Sequence, residues 1–188
     1  MRRLLFVCLA TSLLMAFGGC KERRGATVTR DACSLISKEE IESVQASPVN
    51  ETKSNERSDD LFRVSQCFYA TAESNKSVNL ALVQEQTDQE NKRSPKDFWK
   101  EKFGSYSGNE QERDRKAEAK SVEKEQGPAP KKVAGLGDDA YWVSNRFGGV
   151  LYVLKGDAFI SIGLGGTDDE DVKLKKSKVL AQKALQRL

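Results

Sequence analysis

The sequence predicts an α+β domain in which an antiparallel sheet of about five strands carries helices packed on one face. Three observations lead there. Short apolar runs are separated by glycine-bearing turns, Gly148-Gly149 and Gly156-Asp157, the spacing of consecutive hairpins. Capped helical segments stand beside these runs instead of between every pair, as an antiparallel sheet with segregated helices requires. Residues 104–132 form a charged stretch with Pro128-Ala129-Pro130 and almost no large apolar side chains. Such a stretch buries too little surface to offset the cost of ordering it, so it reads as a flexible polar excursion inside one domain, 31–188.

In chain order, the first helix is predicted over Lys38 to about Gln45. Ser37 and Glu40 are spaced as a capping box, Ile36 and Ile41 stand at the two positions of a hydrophobic staple, and Pro48 and Asn50 end the helix. The polar run from Asn50 to Asp60 is read as loop. Leu61 to Thr71 and Ser77 to Gln86 read as strands joined through Glu73 to Lys76. In the second strand Val78, Leu80 and Leu82 fall on one well-buried face. Ser94-Pro95 opens another helix, with serine as cap and proline at the first helical position, and Phe98, Trp99 and Phe103 give it a face to bury.

Beyond the excursion, where residues 118–124 have some helical tendency, Gly135-Leu136-Gly137-Asp138 is a turn. Ala140 to Arg146, Val150 to Lys155 and Ala158 to Leu164 are strands. Thr167 with Glu170 repeats the capping-box spacing ahead of a C-terminal helix ending near Gln186. At 100° per residue, Leu174, Ala181, Ala184, Leu185 and Leu188 lie on one side of it.

The amino-terminal segment has a different character. Arg2 and Arg3 precede an uncharged apolar run from Leu4 to Phe17, shorter than the ~20 residues that span a bilayer, followed by Gly18, Gly19 and Cys20. Ala16-Phe17-Gly18-Gly19-Cys20 resembles the lipobox of bacterial lipoproteins, although Phe17 stands where that family usually has an aliphatic residue. The resemblance implies a signal peptide over 1–19, cleavage before Cys20, and acyl chains, palmitate among them, on Cys20. Residues 20–30 then read as a polar tether. By analogy with enterobacterial lipoproteins, Lys21 after the cysteine implies sorting to an outer membrane where two membranes are present.

Without the leader, 29 basic residues face 28 acidic ones, a balance that gives no reason to expect a nucleic-acid partner. Cys8 departs with the leader, which leaves Cys33 and Cys67 as an even pair in an oxidising compartment. They are read as a structural disulfide, because a redox pair usually sits close in sequence as Cys-x-x-Cys. The chain contains no histidine, which removes the commonest general base and every Ser-His-Asp or Cys-His arrangement.

Three short stretches carry a second resemblance: Asp31-Ala32-Cys33-Ser34-Leu35-Ile36-Ser37, Cys67-Phe68-Tyr69, and Gly135-Leu136-Gly137-Asp138-Asp139-Ala140-Tyr141. They look like landmarks of small exported lipoproteins of unknown function, best known from actinobacteria. That family implies a paired cysteine bridge and a compact α+β domain, with no activity to carry over.

The candidates for chemistry are few. Gly163-Leu164-Gly165-Gly166-Thr167 lies between a strand and a helix, where phosphate-cradling loops occur, but Asp168, Asp169, Glu170 and Asp171 follow and would repel a phosphate. Acids there favour the helix dipole, and their consecutive placement lacks the alternation of a calcium loop. Asp138 and Asp139 point to opposite faces once a strand has begun, so they do not converge as an acid–base pair. Tyr141, Trp142 and Tyr152 are the candidate interaction surface, since alternation can leave an aromatic exposed to stack on a sugar or a protein partner. The expectation is a non-enzymatic binding module without cofactor or metal, anchored to a membrane on the exported side and meeting an envelope protein or glycan. The alternative is a carboxylate-dependent hydrolase of cell wall or glycan.

Overall fold

The computed structural model describes residues 29–58, 61–86, 93–107 and 128–188. The leader, Cys20 and most of its tether, the interior of the excursion and residues 118–124 lie outside these. Among the described residues the fold is α+β, an open antiparallel sheet with three helices. Its strands are β1 (Val49–Ser58), β2 (Phe62–Thr71), β3 (Val78–Glu85), β4 (Lys131–Lys132), β5 (Asp139–Val143), β6 (Val150–Lys155) and β7 (Ala158–Leu164). They lie in the order β1-β2-β3-β7-β6-β5-β4. Because β3 pairs with β7, from Val78↔Leu164 to Val83↔Phe159, segments from both sides of the excursion share one sheet.

Seven strands replace the expected five, and the two additions are the two edges. β1 occupies the run expected to be loop. It pairs with β2 from Glu51↔Ala70 to Ser58↔Arg63, while nearly all its side chains face solvent. Backbone pairing needs no apolar side chain, so an exposed edge strand leaves no alternation in the sequence. β4 pairs Lys131 with Trp142 and Lys132 with Tyr141, which orders the far end of the excursion; Gly104–Tyr106 at its near end forms a 3-10 turn. β5 is shorter than expected and ends at Val143, where the hairpin begins.

Helix α1 (Lys38–Gln45) has the expected capping box. The Ser37 hydroxyl accepts from Glu40 N, and the Glu40 carboxylate accepts from Ser37 N. It ends earlier than Pro48, with Ala46 turned into the left-handed region at φ 49°. In α2 (Pro95–Phe103) Ser94 caps Asp97 in the same reciprocal way. The C-terminal helix, α3 (Glu170–Arg187), departs from the expected cap. Asp169, not Thr167, accepts from Val172 N, so the short acidic side chain beside the helix takes the role.

The helices do not share one face. Alternation along each strand sends neighbours to opposite sides. On one side Leu80, Leu82, Trp142, Leu151, Ile160 and Ile162 are sealed under α1, α3 and the 3-10 turn at Ala32–Ser34. On the other, Tyr141, Leu154 and Phe159 pack against Trp99 and Phe103 of α2. The Phe103 and Tyr141 rings stack with centroids 4.7 Å apart. The expectation of one covered face failed because segregation of helices from strands does not say which face each helix takes, and the aromatic face of α2 needed a sheet surface of its own.

Two links fasten the amino-terminal segment. Cys33 and Cys67 form a disulfide with Cα atoms 5.0 Å apart, tying the 3-10 turn to β2. The Tyr69 hydroxyl donates to Ile36 O at 2.7 Å, and burial pushes its pKa up to about 12. At the other end of the chain, Glu40 receives Arg187 at 2.7 and 2.9 Å and Lys183 at 3.2 Å, which joins α1 to α3. The hydrogen bonds from Arg187 are the main reason that the Glu40 carboxyl is held down at about 2.

Two predictions follow from these links. Cys67→Ser should lower stability to urea by about 2–5 kcal/mol, as loss of a native disulfide commonly does. Mass spectrometry of the non-reduced chain should show Cys33 joined to Cys67. Folding lowers the Glu40 pKa from its ordinary 4.5, so its stabilisation is complete above that pH and is lost as the pH falls toward 2. Because the Arg187 guanidinium is solvent-exposed, screening holds the link's contribution at neutral pH well below what the full shift would imply. Glu40→Gln should remove it at pH 7 and flatten the loss of stability between about pH 5 and 2, read by urea unfolding at stepped pH.

Candidate functional site

The expected interaction surface is not on the surface. Tyr141 and Trp142 are both 0% exposed, and Tyr152 is half-buried against Phe103 and Lys102. Alternation sends Tyr141 and Trp142 to opposite faces as expected, but each face is covered there, so each ring finds a core. The Trp142 indole donates to Glu170 Oε1 at 3.0 Å; the Lys132 ammonium lies over the Tyr141 ring.

The most exposed aromatic among the described residues is Phe147, 68% exposed at the tip of the β5–β6 hairpin, ahead of Phe68 on β2 at 41%. Asn145 shapes the tip, its side chain accepting from Phe147 N and its carbonyl from Gly148 N. Gly149, at φ 146°, closes the hairpin so tightly that an added Cβ would stand 2.4 Å from the Trp142 ring. The Arg146 guanidinium lies 4.8 Å from the Phe147 ring centroid. Position beside Gly148-Gly149 was the available signal: a residue at a hairpin tip has no sheet face to pack on.

Beneath this tip a cleft of about 480 Å³ opens between the hairpin and the loop that leads into α3. Arg146, Phe147 and Gly148 form one wall, Gly165, Gly166, Thr167 and Asp168 another, with Asn75 and Lys173 completing the lining. Gly165 lies hard against the turn before β3. An added Cβ there would stand 2.2 Å from Asn75 O, and its amide donates to Ser77 O. Lys173 runs inward from α3, and its ammonium donates to Phe147 O at 2.8 Å.

The acidic run that follows the glycines is dispersed by the fold. Asp168 accepts from Lys176 at 2.6 Å, and this bond leads in holding its carboxyl below the usual range. Asp169 caps α3. Glu170 turns away, accepting from Lys131, Trp142 and Ser144, and Lys131 is the first cause of its lowered pKa. Among the described residues no three His, Cys, Asp or Glu side chains are arranged to hold a metal ion.

Asp138 and Asp139 also serve separate ends. Asp138 accepts from Gly156 N at 2.7 Å, bracing the neighbouring turn. Asp139 accepts from the Trp99 indole at 3.1 Å and pairs with Lys132. The cysteine pair is the disulfide already described; the lipidation candidate, Cys20, lies outside the described residues.

The cleft lies at a defined end of the sheet. Arg30, next to the first described residue, donates its amide to Gln84 Oε1, and Arg63 donates to Arg30 O. These contacts stand at the Phe62↔Glu85 end of the strands. The hairpin tip and the Gly165 loop stand at the other end, beyond Val143↔Val150 and Val78↔Leu164. At ~3.3 Å per residue, the length of β3 puts roughly 20 Å between them.

Compared with models of protein families, with curated proteins and with solved structures, the chain matches none.

Proposed function

We propose that this chain is a lipid-anchored protein of the bacterial cell envelope, held by acyl chains on Cys20, that works as a non-enzymatic binding module. The observation that carries the reading is the opposition of tether and cleft. A chain fastened through Cys20 enters the sheet at the Arg30 end, and the ten residues from 20 to 29 span at most about 35 Å when extended. The cleft and the exposed Phe147 are at the far end of the sheet, and in this reading that end faces away from the membrane. The leader, its resemblance to a lipobox and the Cys33–Cys67 bridge all suit an exported, oxidising location. Lys21 favours the outer membrane where there are two. The resemblance to exported lipoproteins of unknown function belongs to the same proposal and rests on the leader and the three short landmarks.

A carboxylate hydrolase needs two carboxyls roughly 5–10 Å apart facing one cleft. Of the lining residues here, Asp168 is the one carboxylate, and it is engaged by Lys176. No observation favours that chemistry over binding. The partner in this reading is an envelope protein or glycan.

Cys20→Ala should abolish labelling by a clickable fatty acid and either release the protein from the membrane fraction or leave it as uncleaved precursor, since acyl chains supply the anchoring energy. Labelling and membrane retention equal to the parent's would overturn the anchor.

A further inference from the structure

We propose that the cleft under the Phe147 hairpin binds an oxyanion, a carboxylate or phosphate group of a larger ligand, between Lys173 and Arg146. The inference rests on the binding-module reading and names the chemistry of its site. Lys173 is only 4% exposed, yet its ammonium makes one hydrogen bond, to the Phe147 carbonyl, and has no salt-bridge partner among the described residues. A buried cation ordinarily has an anion beside it, because desolvation otherwise favours the neutral form. An ammonium also has three protons to donate, and the Phe147 carbonyl takes one. Its stem is confined too: a methyl at Gly148 would stand 2.8 Å from Lys173 Cδ.

Arg146 supplies the second cation at the same cleft, with a planar fork suited to two oxygens at once. Of the four carboxylates that argue against an anion in the sequence, three are engaged by other groups, and Asp171 is exposed on α3 and is not part of the cleft lining. Asp168 lines the cleft but is bound to Lys176, with Lys173 acting on it only through space. Asp169 and Glu170 are directed to the α3 cap and to β4 and β5. Gly166 also lines the cleft with bare backbone, an added Cβ meeting nothing nearer than 3.9 Å, which permits a ligand's close approach. The cleft volume is in the range of small-molecule sites, far more than one oxyanion fills. Phe147 at the mouth offers a flat apolar surface for the remainder of the ligand.

The test is calorimetric titration of the full lipidated chain in detergent micelles, at constant ionic strength, with inorganic phosphate and separately with acetate. Saturable binding of either probe is expected, and the stronger one identifies the oxyanion. Lys173→Met and Arg146→Gln should each weaken it by about tenfold, the loss of a charge-assisted hydrogen bond. Asp168→Asn should tighten it. Arg146→Gln changes an exposed hairpin residue, so it keeps the test open if Lys173→Met fails to fold. Absence of saturable binding by both probes, or parental affinity in Arg146→Gln, would overturn the proposal. Failure here leaves acylation of Cys20 untouched, and failure of acylation leaves the titration readable, so the two readings fall separately.

Discussion

A buried tryptophan must find an acceptor for its indole N–H, and here two of them, on opposite faces of one sheet, set the arrangement of its far edge. Trp142 donates to Glu170 and Trp99 to Asp139. Each carboxylate needs a cation in return, and adjacent lysines provide both. Lys131 reaches Glu170 on the α3 side, and Lys132 reaches Asp139 on the α2 side. A strand of two residues suffices, because alternation points its two side chains to the two faces. β4 thus joins α2, α3 and β5, three elements distant in sequence. The surface ion pairs alone would contribute little; their importance lies in satisfying indoles that water cannot reach.

Much of this fold is legible in the sequence, and the legible parts share a cause. α1, α2, β2, β3, β6 and β7 are specified by interactions between near neighbours: capping boxes at Ser37 and Ser94, an alternating Val78-Leu80-Leu82, and glycines at Gly148 and Gly156. What escapes is specified by distant partners. β1 exists because β2 offers it hydrogen bonds, and its side chains carry no trace of that. β4 depends on Trp142 and Tyr141 lying opposite Lys131 and Lys132. The second helical layer depends on Tyr141, Leu154 and Phe159 meeting Trp99 and Phe103 across the excursion.

The candidate site divides the same way. Its glycine loop stands out in the sequence, and so does the acidic run that counts against it. Read locally, four consecutive acids act together; in the fold they part company, one to Lys176, one to the helix cap, one to β4 and β5, and the fourth, Asp171, to solvent. Lys173 gives no signal at all. On α3 it sits among several lysines, and only packing under the hairpin turns this one inward. Trp142 misleads in the opposite sense, since an aromatic in a hairpin strand can be surface or core according to whether a helix covers it.

The polarity of β1 bears on how crowded such molecules can become. An open sheet edge is a template for another strand, and two copies that meet side by side can extend one sheet into the other. Glu51, Lys53, Glu56 and Arg57 place charges of both signs along that edge, and the pairing is irregular between Val49 and Glu51. A neighbour's strand offered there would have to bring matching charges in the right register. The edge that looks like loop in the sequence therefore acts as a spacer, keeping neighbouring copies of the domain from knitting their sheets together.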